Sequence, residues 1–178
     1  MPTVAWGERR LFIWPISGFI LVDSVPGLEF SETYLAASAK QQRRMMYCYG
    51  ALVGAMHRLR INSKIRPRDI ICKNENFTHY KDSLILIDRE HGKPKPMNID
   101  KKLAIKQIID GWQKTAASLN YPQPDRLLSY WSGYCSERPD YRGFLKIHKE
   151  LITRTFSSLE PQPDRVKFNE NYGEWLSQ

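Results

Sequence analysis

The chain has 178 residues, of which 42% are hydrophobic and 12% aromatic, so it can bury one core in a single domain. Its 27 basic residues outnumber its 19 acidic residues and give a net charge of +8, which favours phosphate-rich or otherwise anionic partners. Cys48, Cys72 and Cys135 are odd in number, far apart, and form no C-x-x-C pair. This pattern argues against a disulfide framework or a zinc site and predicts reduced thiols.

The sequence pattern predicts neither a membrane span nor a secretory signal. No apolar run approaches the roughly 20 residues that a transmembrane helix requires. The charged residues Glu8, Arg9 and Arg10 interrupt any apolar signal-peptide core. We therefore expect a cytoplasmic protein, with peripheral contact to the inner membrane as a further option.

The first elements of the chain are short. Apolar runs at residues 11–14 and 19–22, punctuated by Pro15 and Gly18, predict a pair of strands. Ser31 is a plausible cap for a short helix over residues 32–39.

A longer helix is predicted over residues 40–60. Its apolar side chains recur at steps of three and four and form one stripe for burial, namely Met45, Tyr49, Leu52, Val53, Met56 and Leu59. Gly50 and Gly54 form a G-x-x-x-G pair on the same helix, which here indicates close helix packing rather than dimerisation in a membrane.

The remaining chain divides into an irregular segment and three helices. Residues 61–98 are expected to be irregular with short strands. Asp100 is the predicted cap of a helix that runs to residue 119, and two more helices follow near residues 126–137 and 141–159.

Three polar residues of the irregular segment suit phosphoryl transfer. Asn74 follows Asp69 by five positions, and Asp88 ends an apolar run of the β type. Transfer from ATP needs one carboxylate that orients the acceptor hydroxyl, and an amide and a second carboxylate that hold Mg²⁺ against the phosphates. The simpler alternative is a chance placement of common polar residues near strand ends.

This pattern resembles the kinase catalytic loop H-R-D-x-x-x-x-N and the metal-binding Asp of D-F-G, with Pro67 in place of the His and Arg89-Glu90 in place of Phe-Gly. Within that group the chain is similar to the bacterial lipopolysaccharide core kinases, which phosphorylate heptose or Kdo, and to their InaA-type and toluene-tolerance relatives. Residues 56–61, 67–74, 86–90 and 100–103 carry the resemblance.

The resemblance implies an α+β fold: a mainly helical, protein-kinase-like C-terminal lobe with a short N-terminal strand pair. The whole chain would be one domain, with residues 1–30 as a remnant of the N-terminal lobe and hinge, 31–160 as the helical lobe, and 161–178 as a tail. Asp69 would be catalytic, and Asn74 and Asp88 would bind Mg²⁺ and the nucleotide. ATP and Mg²⁺ would be the cofactors, and a lipid-linked saccharide or the membrane surface the partner.

One alternative comes from what this sequence lacks. It has no G-x-G-x-x-G loop over the phosphates, and few residues precede the first helix. Because positioning and electrostatics account for most of this catalysis, an impaired pseudokinase that acts as an interaction scaffold is the alternative.

An unpaired strand edge at residues 11–25 predicts a homodimer or a partner chain there. A basic nucleic-acid-binding domain is the third option, but the aromatic residues fall on apolar helix faces, so we do not expect nucleic acid as a partner.

Overall fold

The structure is a computed structural model that describes residues 3–11, 14–22, 26–61, 65–87 and 101–144. The described chain is mainly helical and contains a three-stranded antiparallel sheet, so the α+β class is confirmed. The elements in chain order are β1 (Thr3–Leu11), β2 (Trp14–Val22), β3 (Leu28–Glu29), α1 (Phe30–Ala36), α2 (Ala39–Arg58), β4 (Ile70–Cys72), α3 (Tyr80–Ser83), β5 (Leu84–Leu86), α4 (Lys101–Ser118) and α5 (Pro124–Glu137).

The N-terminal strands form an antiparallel hairpin with different bounds from those predicted. β1 pairs with β2 from Thr3↔Val22 to Leu11↔Trp14. Leu11 is the last residue of β1 and Trp14 is the first of β2, so the two ends of the run predicted as one strand at residues 11–14 belong to different strands, whereas residues 19–22 lie in β2 as predicted. The first strand instead lies over residues whose charges, at Glu8 to Arg10, gave no apolar signal.

The second sheet has the strand order β3-β4-β5 and is antiparallel throughout. Ile70 pairs with Leu86, and Cys72 pairs with Leu84 and Leu28. Partners across a sheet point to the same face. Ile70, Cys72 and Leu84 are buried, so this face of the sheet packs on the core.

Two helix starts differ from the predictions. Helix α1 begins at Phe30 after Glu29, so Ser31 lies inside the helix and does not cap it. Helix α2 begins at Ala39, and Ser38 caps it: the Ser38 hydroxyl accepts a hydrogen bond from the Gln41 amide, and the Gln41 side chain accepts one from the Ser38 amide. This reciprocal pair is the capping box that the sequence S-x-x-Q encodes.

Helix α2 packs closely on α5 through glycines on both helices. A Cβ atom at Gly133 of α5 would lie 1.9 Å from the Tyr47 carbonyl oxygen, and one at Gly54 of α2 would lie 2.6 Å from the Tyr134 carbonyl oxygen. The prediction that Gly50 and Gly54 mark a close helix contact is confirmed.

The core lies around this helix pair. Met45, Tyr49, Val53 and Met56 are buried as predicted and Leu52 is half-buried, but Leu59 is exposed because it lies at the C-terminal cap of α2. Helix α5 contributes Leu127, Tyr130, Trp131 and Tyr134, and helix α4 contributes Ala104, Ile108 and Ala116.

The last predicted helix is only partly covered by the described chain. Residues Pro139–Phe144 form a 3₁₀ helix, so its predicted start at Tyr141 is not α-helical, and the rest of that prediction lies outside the described residues. Asp100, the predicted cap of α4, also lies outside them. No described helix is both long and apolar enough to cross a membrane.

Candidate functional site

Asp69 is the last residue of a 3₁₀ turn, Pro67–Asp69, that leads directly into β4. The Pro67 ring fixes φ at the first position of the turn, where no backbone donor is needed. The Asp69 carboxylate accepts a hydrogen bond from the Arg66 backbone amide at 2.9 Å, which closes the turn. Asp69 is thereby held in one backbone position and is only 5% exposed.

Two arginines flank this buried carboxylate. The Arg66 Nε donates to Asp69 Oδ2 at 3.1 Å, and the Arg66 Nη2 donates to Oδ1 at 3.2 Å. Arg68 also approaches the carboxylate, with its Nε 3.8 Å from Oδ1, the oxygen that accepts from Arg66 Nη2. The Arg66 fork is a bidentate pair, which is the strong form of a carboxylate contact.

The segment before this turn is anchored to helix α2. The Tyr49 hydroxyl donates to the Ile65 carbonyl oxygen at 2.8 Å and lies 3.0 Å from the Thr115 hydroxyl. Burial raises the pKa of Tyr49, the Thr115 hydrogen bond opposes this effect, and the nearby Asp69 charge raises the pKa further. Tyr49 therefore stays a neutral donor at physiological pH and fixes the backbone just ahead of Arg66.

Asn74 serves a turn at the loop that joins β4 to α3. Its side-chain amide donates to the Asp82 carbonyl oxygen at 2.9 Å, and its side-chain oxygen accepts a hydrogen bond from the Asn76 amide at 3.0 Å. This is the local backbone mimicry for which asparagine is favoured in turns. Both polar ends of the Asn74 side chain are engaged within its own loop.

The predicted site residues do not all come together. The Ile87 amide donates to the Asp69 carbonyl oxygen at 2.7 Å, so the end of β5 lies beside Asp69. At the opposite end of the strand pair, the Lys73 amide donates to the Ser83 carbonyl oxygen, and Asn74 follows. The three residues of β4, Ile70–Cys72, lie between these two ends and span roughly 10 Å along the strand. Asp88 lies outside the described residues.

The sheet face opposite the core carries a small apolar surface beside this turn. Ile71 pairs with Ile85 across β4 and β5, and both are half-buried. Gly27 packs on the same strand: a Cβ atom there would lie 2.7 Å from Ile71 Cγ2 and 2.2 Å from the Cys72 carbonyl oxygen. Its φ of +134° also requires glycine.

The sequence alone did not assign a role to Arg66 or Arg68. The available signal was the spacing R-x-x-D, which allows an ion pair across one tight turn once Pro67 predicts that turn. The sequence shows that cationic residues lie near Asp69, but which of them pair with its carboxylate depends on the path of the backbone.

Within the described ranges, no three His, Cys, Asp or Glu residues form a group that could hold a metal ion. Of the two residues predicted to hold Mg²⁺, Asn74 is engaged within its own turn through both polar ends of its side chain, and Asp88 lies outside the described residues. A comparison with family models, curated proteins and solved structures found no match to this chain.

Proposed function

We propose that this chain is a kinase-like lobe that transfers the γ-phosphoryl group of ATP to a sugar hydroxyl of a lipid-linked inner-core saccharide. The observation that carries the proposal is the hydrogen bond from the Ile87 amide to the Asp69 carbonyl oxygen, which holds the end of β5 beside the backbone of the residue that bears the buried carboxylate. Asp88, which lies outside the described residues, directly follows Ile87 in the sequence.

Asp69 supplies the general base in this proposal. Its carboxylate accepts the proton of the acceptor hydroxyl as the new O–P bond forms and the bond between the γ-phosphorus and ADP breaks. The 3₁₀ turn and the Ile87 contact hold its backbone in place. Such fixed geometry is the main contribution a protein can make to phosphoryl transfer.

The apolar face of Ile71 and Ile85 suits the base of the nucleotide. Both side chains are half-buried and point away from the core, and Gly27 brings the chain close to Ile71 without a side chain of its own. Small-ligand sites are lined mainly by apolar side chains, and these two isoleucines supply part of such a lining.

This proposal assigns fewer residues to Mg²⁺ than the sequence pattern suggests. Mg²⁺ neutralises phosphate charge when it is bound, and Asp88 is the residue that the resemblance assigns to it. Asn74 is engaged in its own turn, so we assign it to the loop rather than to the metal.

An interaction scaffold without catalysis is the second candidate function. The observation in its favour is the Arg66–Asp69 pair, which occupies the carboxylate that catalysis would need. In this alternative, the β1–β2 hairpin would contact a second copy or a partner chain, because an isolated two-stranded hairpin is only marginally stable.

Thermal unfolding with and without millimolar Mg²⁺–ATP separates the two functions. A ligand that binds only the folded chain raises the melting temperature in proportion to its saturation. The kinase proposal predicts that Mg²⁺–ATP raises the melting temperature of the wild type but not that of Asp88→Ala. It also predicts a rise for Asp82→Ala, which removes an exposed carboxylate of helix α3, between β4 and β5.

A wild-type chain that shows no rise supports the scaffold and removes the kinase proposal. Where the rise is present, phosphate transfer from γ-labelled ATP to lipopolysaccharide is measured next. Asp69→Asn is expected to lose about 10²-fold or more of that transfer, which is the usual contribution of a general base.

A further inference from the structure

The buried carboxylate of Asp69 has more positive charge around it than it can balance. Arg66 and Arg68 both contact it, so the three side chains carry a net charge of +1. The carboxylate is nearly inaccessible, with 7% of its side chain exposed, whereas 64% of the Arg68 side chain is exposed. The excess positive charge therefore lies at the surface.

Arg68 is only loosely tied to Asp69. Its Nε lies 3.8 Å from Oδ1, which is longer than a hydrogen bond. In the part of the chain that the structure describes, this is the one ion pair of Arg68. Its guanidinium keeps most of its five donors for water or for a ligand.

Arg66 is tied more tightly but to a group that another anion can replace. Its two side-chain bonds to Asp69, at 3.1 and 3.2 Å, form the fork that guanidinium offers equally to carboxylates and to phosphates. About a quarter of the Arg66 side chain is exposed. Because Arg66 Nη2 and Arg68 Nε lie 3.2 and 3.8 Å from the same oxygen, Asp69 Oδ1, the two guanidinium groups are close enough for one oxyanion to contact both.

We propose that Arg66 and Arg68 together form a binding site for a phosphate group, with Asp69 as the internal counterion that the phosphate displaces. The Arg66 fork turns from the carboxylate to the phosphate oxygens, and Arg68 supplies the second cation. In the unliganded chain, the Arg66–Asp69 pair keeps the site closed.

One consequence rests on the proposed function. When the phosphate takes the Arg66 fork, the Asp69 carboxylate loses its bidentate partner and becomes available to accept a hydroxyl proton. The base would then be released only when a phosphate-bearing ligand is in place.

The affinity for inorganic phosphate tests the site without any need for turnover. It is measured by ³¹P NMR titration of the full chain at fixed ionic strength. Removal of the competing charge in Asp69→Asn is expected to tighten phosphate binding about tenfold, whereas Arg66→Gln and Arg68→Gln each weaken it by about the same factor. Arg43→Gln, which alters an exposed arginine paired with Asp125, is the matched control and leaves the affinity unchanged.

Unchanged or weaker phosphate binding in Asp69→Asn overturns the proposal, as does an equal loss in Arg43→Gln and Arg68→Gln. If Asp69→Asn does not fold, Arg68→Gln decides alone, because Arg68 is exposed and its removal leaves the buried pair intact. Titrations with ATP and with a hexose 1-phosphate then distinguish a nucleotide from a phosphorylated saccharide as the source of the phosphate.

The result is independent of the kinase proposal. A chain that binds phosphate in this pattern but gains no stability from Mg²⁺–ATP keeps the arginine site and loses the phosphotransfer function. A chain that gains stability from Mg²⁺–ATP, but whose Asp69→Asn variant does not bind phosphate more tightly, keeps the phosphotransfer function and loses the arginine site.

Discussion

Gly50 of α2 lies against the backbone of Tyr130 in α5, and a Cβ atom at position 50 would lie 1.8 Å from the Tyr130 carbonyl oxygen. Real Cβ atoms do not approach an oxygen so closely, and a helix backbone cannot move aside as a flexible side chain can. The contact therefore fixes how closely the two central helices approach each other.

Gly50→Ala is expected to lower the free energy of unfolding by roughly 1–3 kcal/mol, because the helices must separate to admit the methyl group. This loss outweighs the gain of about 1 kcal/mol in helix propensity when alanine replaces glycine. Urea unfolding measures it, with Arg44→Ala on the exposed face of α2 as the control. A Gly50→Ala chain more stable than the wild type would contradict the close contact.

Burial of His57 makes the stability depend on pH. Its Nδ1 lies 3.0 Å from the Tyr134 hydroxyl, and the residue is 2% exposed. Burial and the nearby Arg138 charge lower the pKa of His57 from 6.5 to about 4, and the Gln107 side chain, which favours the protonated ring, opposes them in part. The folded chain therefore disfavours the protonated imidazole, while the unfolded chain binds the proton near pH 6.5.

The direction of the pH effect on stability follows from the difference between the pKa of His57 in the folded and unfolded chain. The stability that neutral His57 contributes is complete above pH 6.5 and is lost as the pH falls toward 4, with a limiting loss of about 3 kcal/mol. We expect the difference in unfolding free energy between the wild type and His57→Gln to change across this range. His79→Gln, at an exposed histidine, should follow the wild-type profile. Parallel profiles for the wild type and His57→Gln would show that His57 is not the titrating group.

The capping box at the start of α2 predicts a modest and specific loss. Ser38→Ala removes the hydroxyl that accepts the Gln41 amide, and caps of this kind contribute about 1 kcal/mol. Ser38→Asp keeps an acceptor and should retain most of the stability. Equal losses in the two variants, measured by urea unfolding, would mean that the hydroxyl does not cap the helix.

The cysteines should differ in reactivity. Burial raises the pKa of Cys48 and of Cys72 to about 11, and the thiolate is the reactive form. Cys135 is half-buried. Iodoacetamide at pH 8 should therefore modify Cys135 first, and Cys48 and Cys72 only after unfolding in denaturant, as read by peptide mass spectrometry. Labelling of all three at one rate in the folded chain would contradict this assignment.

Much of the helical architecture could be predicted from the sequence, because it depends on neighbours three and four residues apart. The stripe from Met45 to Met56 and the glycine pair of α2 are local patterns of this kind. The start of α2 lies one residue before the predicted Lys40 and also has a local signal, the capping box at Ser38 and Gln41. The hairpin bounds had none, because charged residues occupy β1.

The candidate site was predictable in its residue types but not in its pairing. Asp69 stands out by its position before a short apolar run, and the sequence spacing pairs it with Asn74. The strand pair β4–β5 separates those two residues, since Asn74 lies at the end near Ser83 while Asp69 lies at the end near Ile87. A spacing of five residues cannot tell a compact loop from an extended strand.

The sequence by itself determined the long amphipathic helix, the small residues that allow close packing, and the reduced cysteines of a basic chain, which follow from composition and short-range periodicity. Its resemblance to kinases implied the α+β class. The tertiary structure decided that α5 fills the glycine groove of α2, that Arg66 closes on Asp69, and that Asn74 belongs to a turn. Each of these depends on the path of the folded backbone, which decides which groups come into contact, and no pattern of neighbouring residues specifies that path.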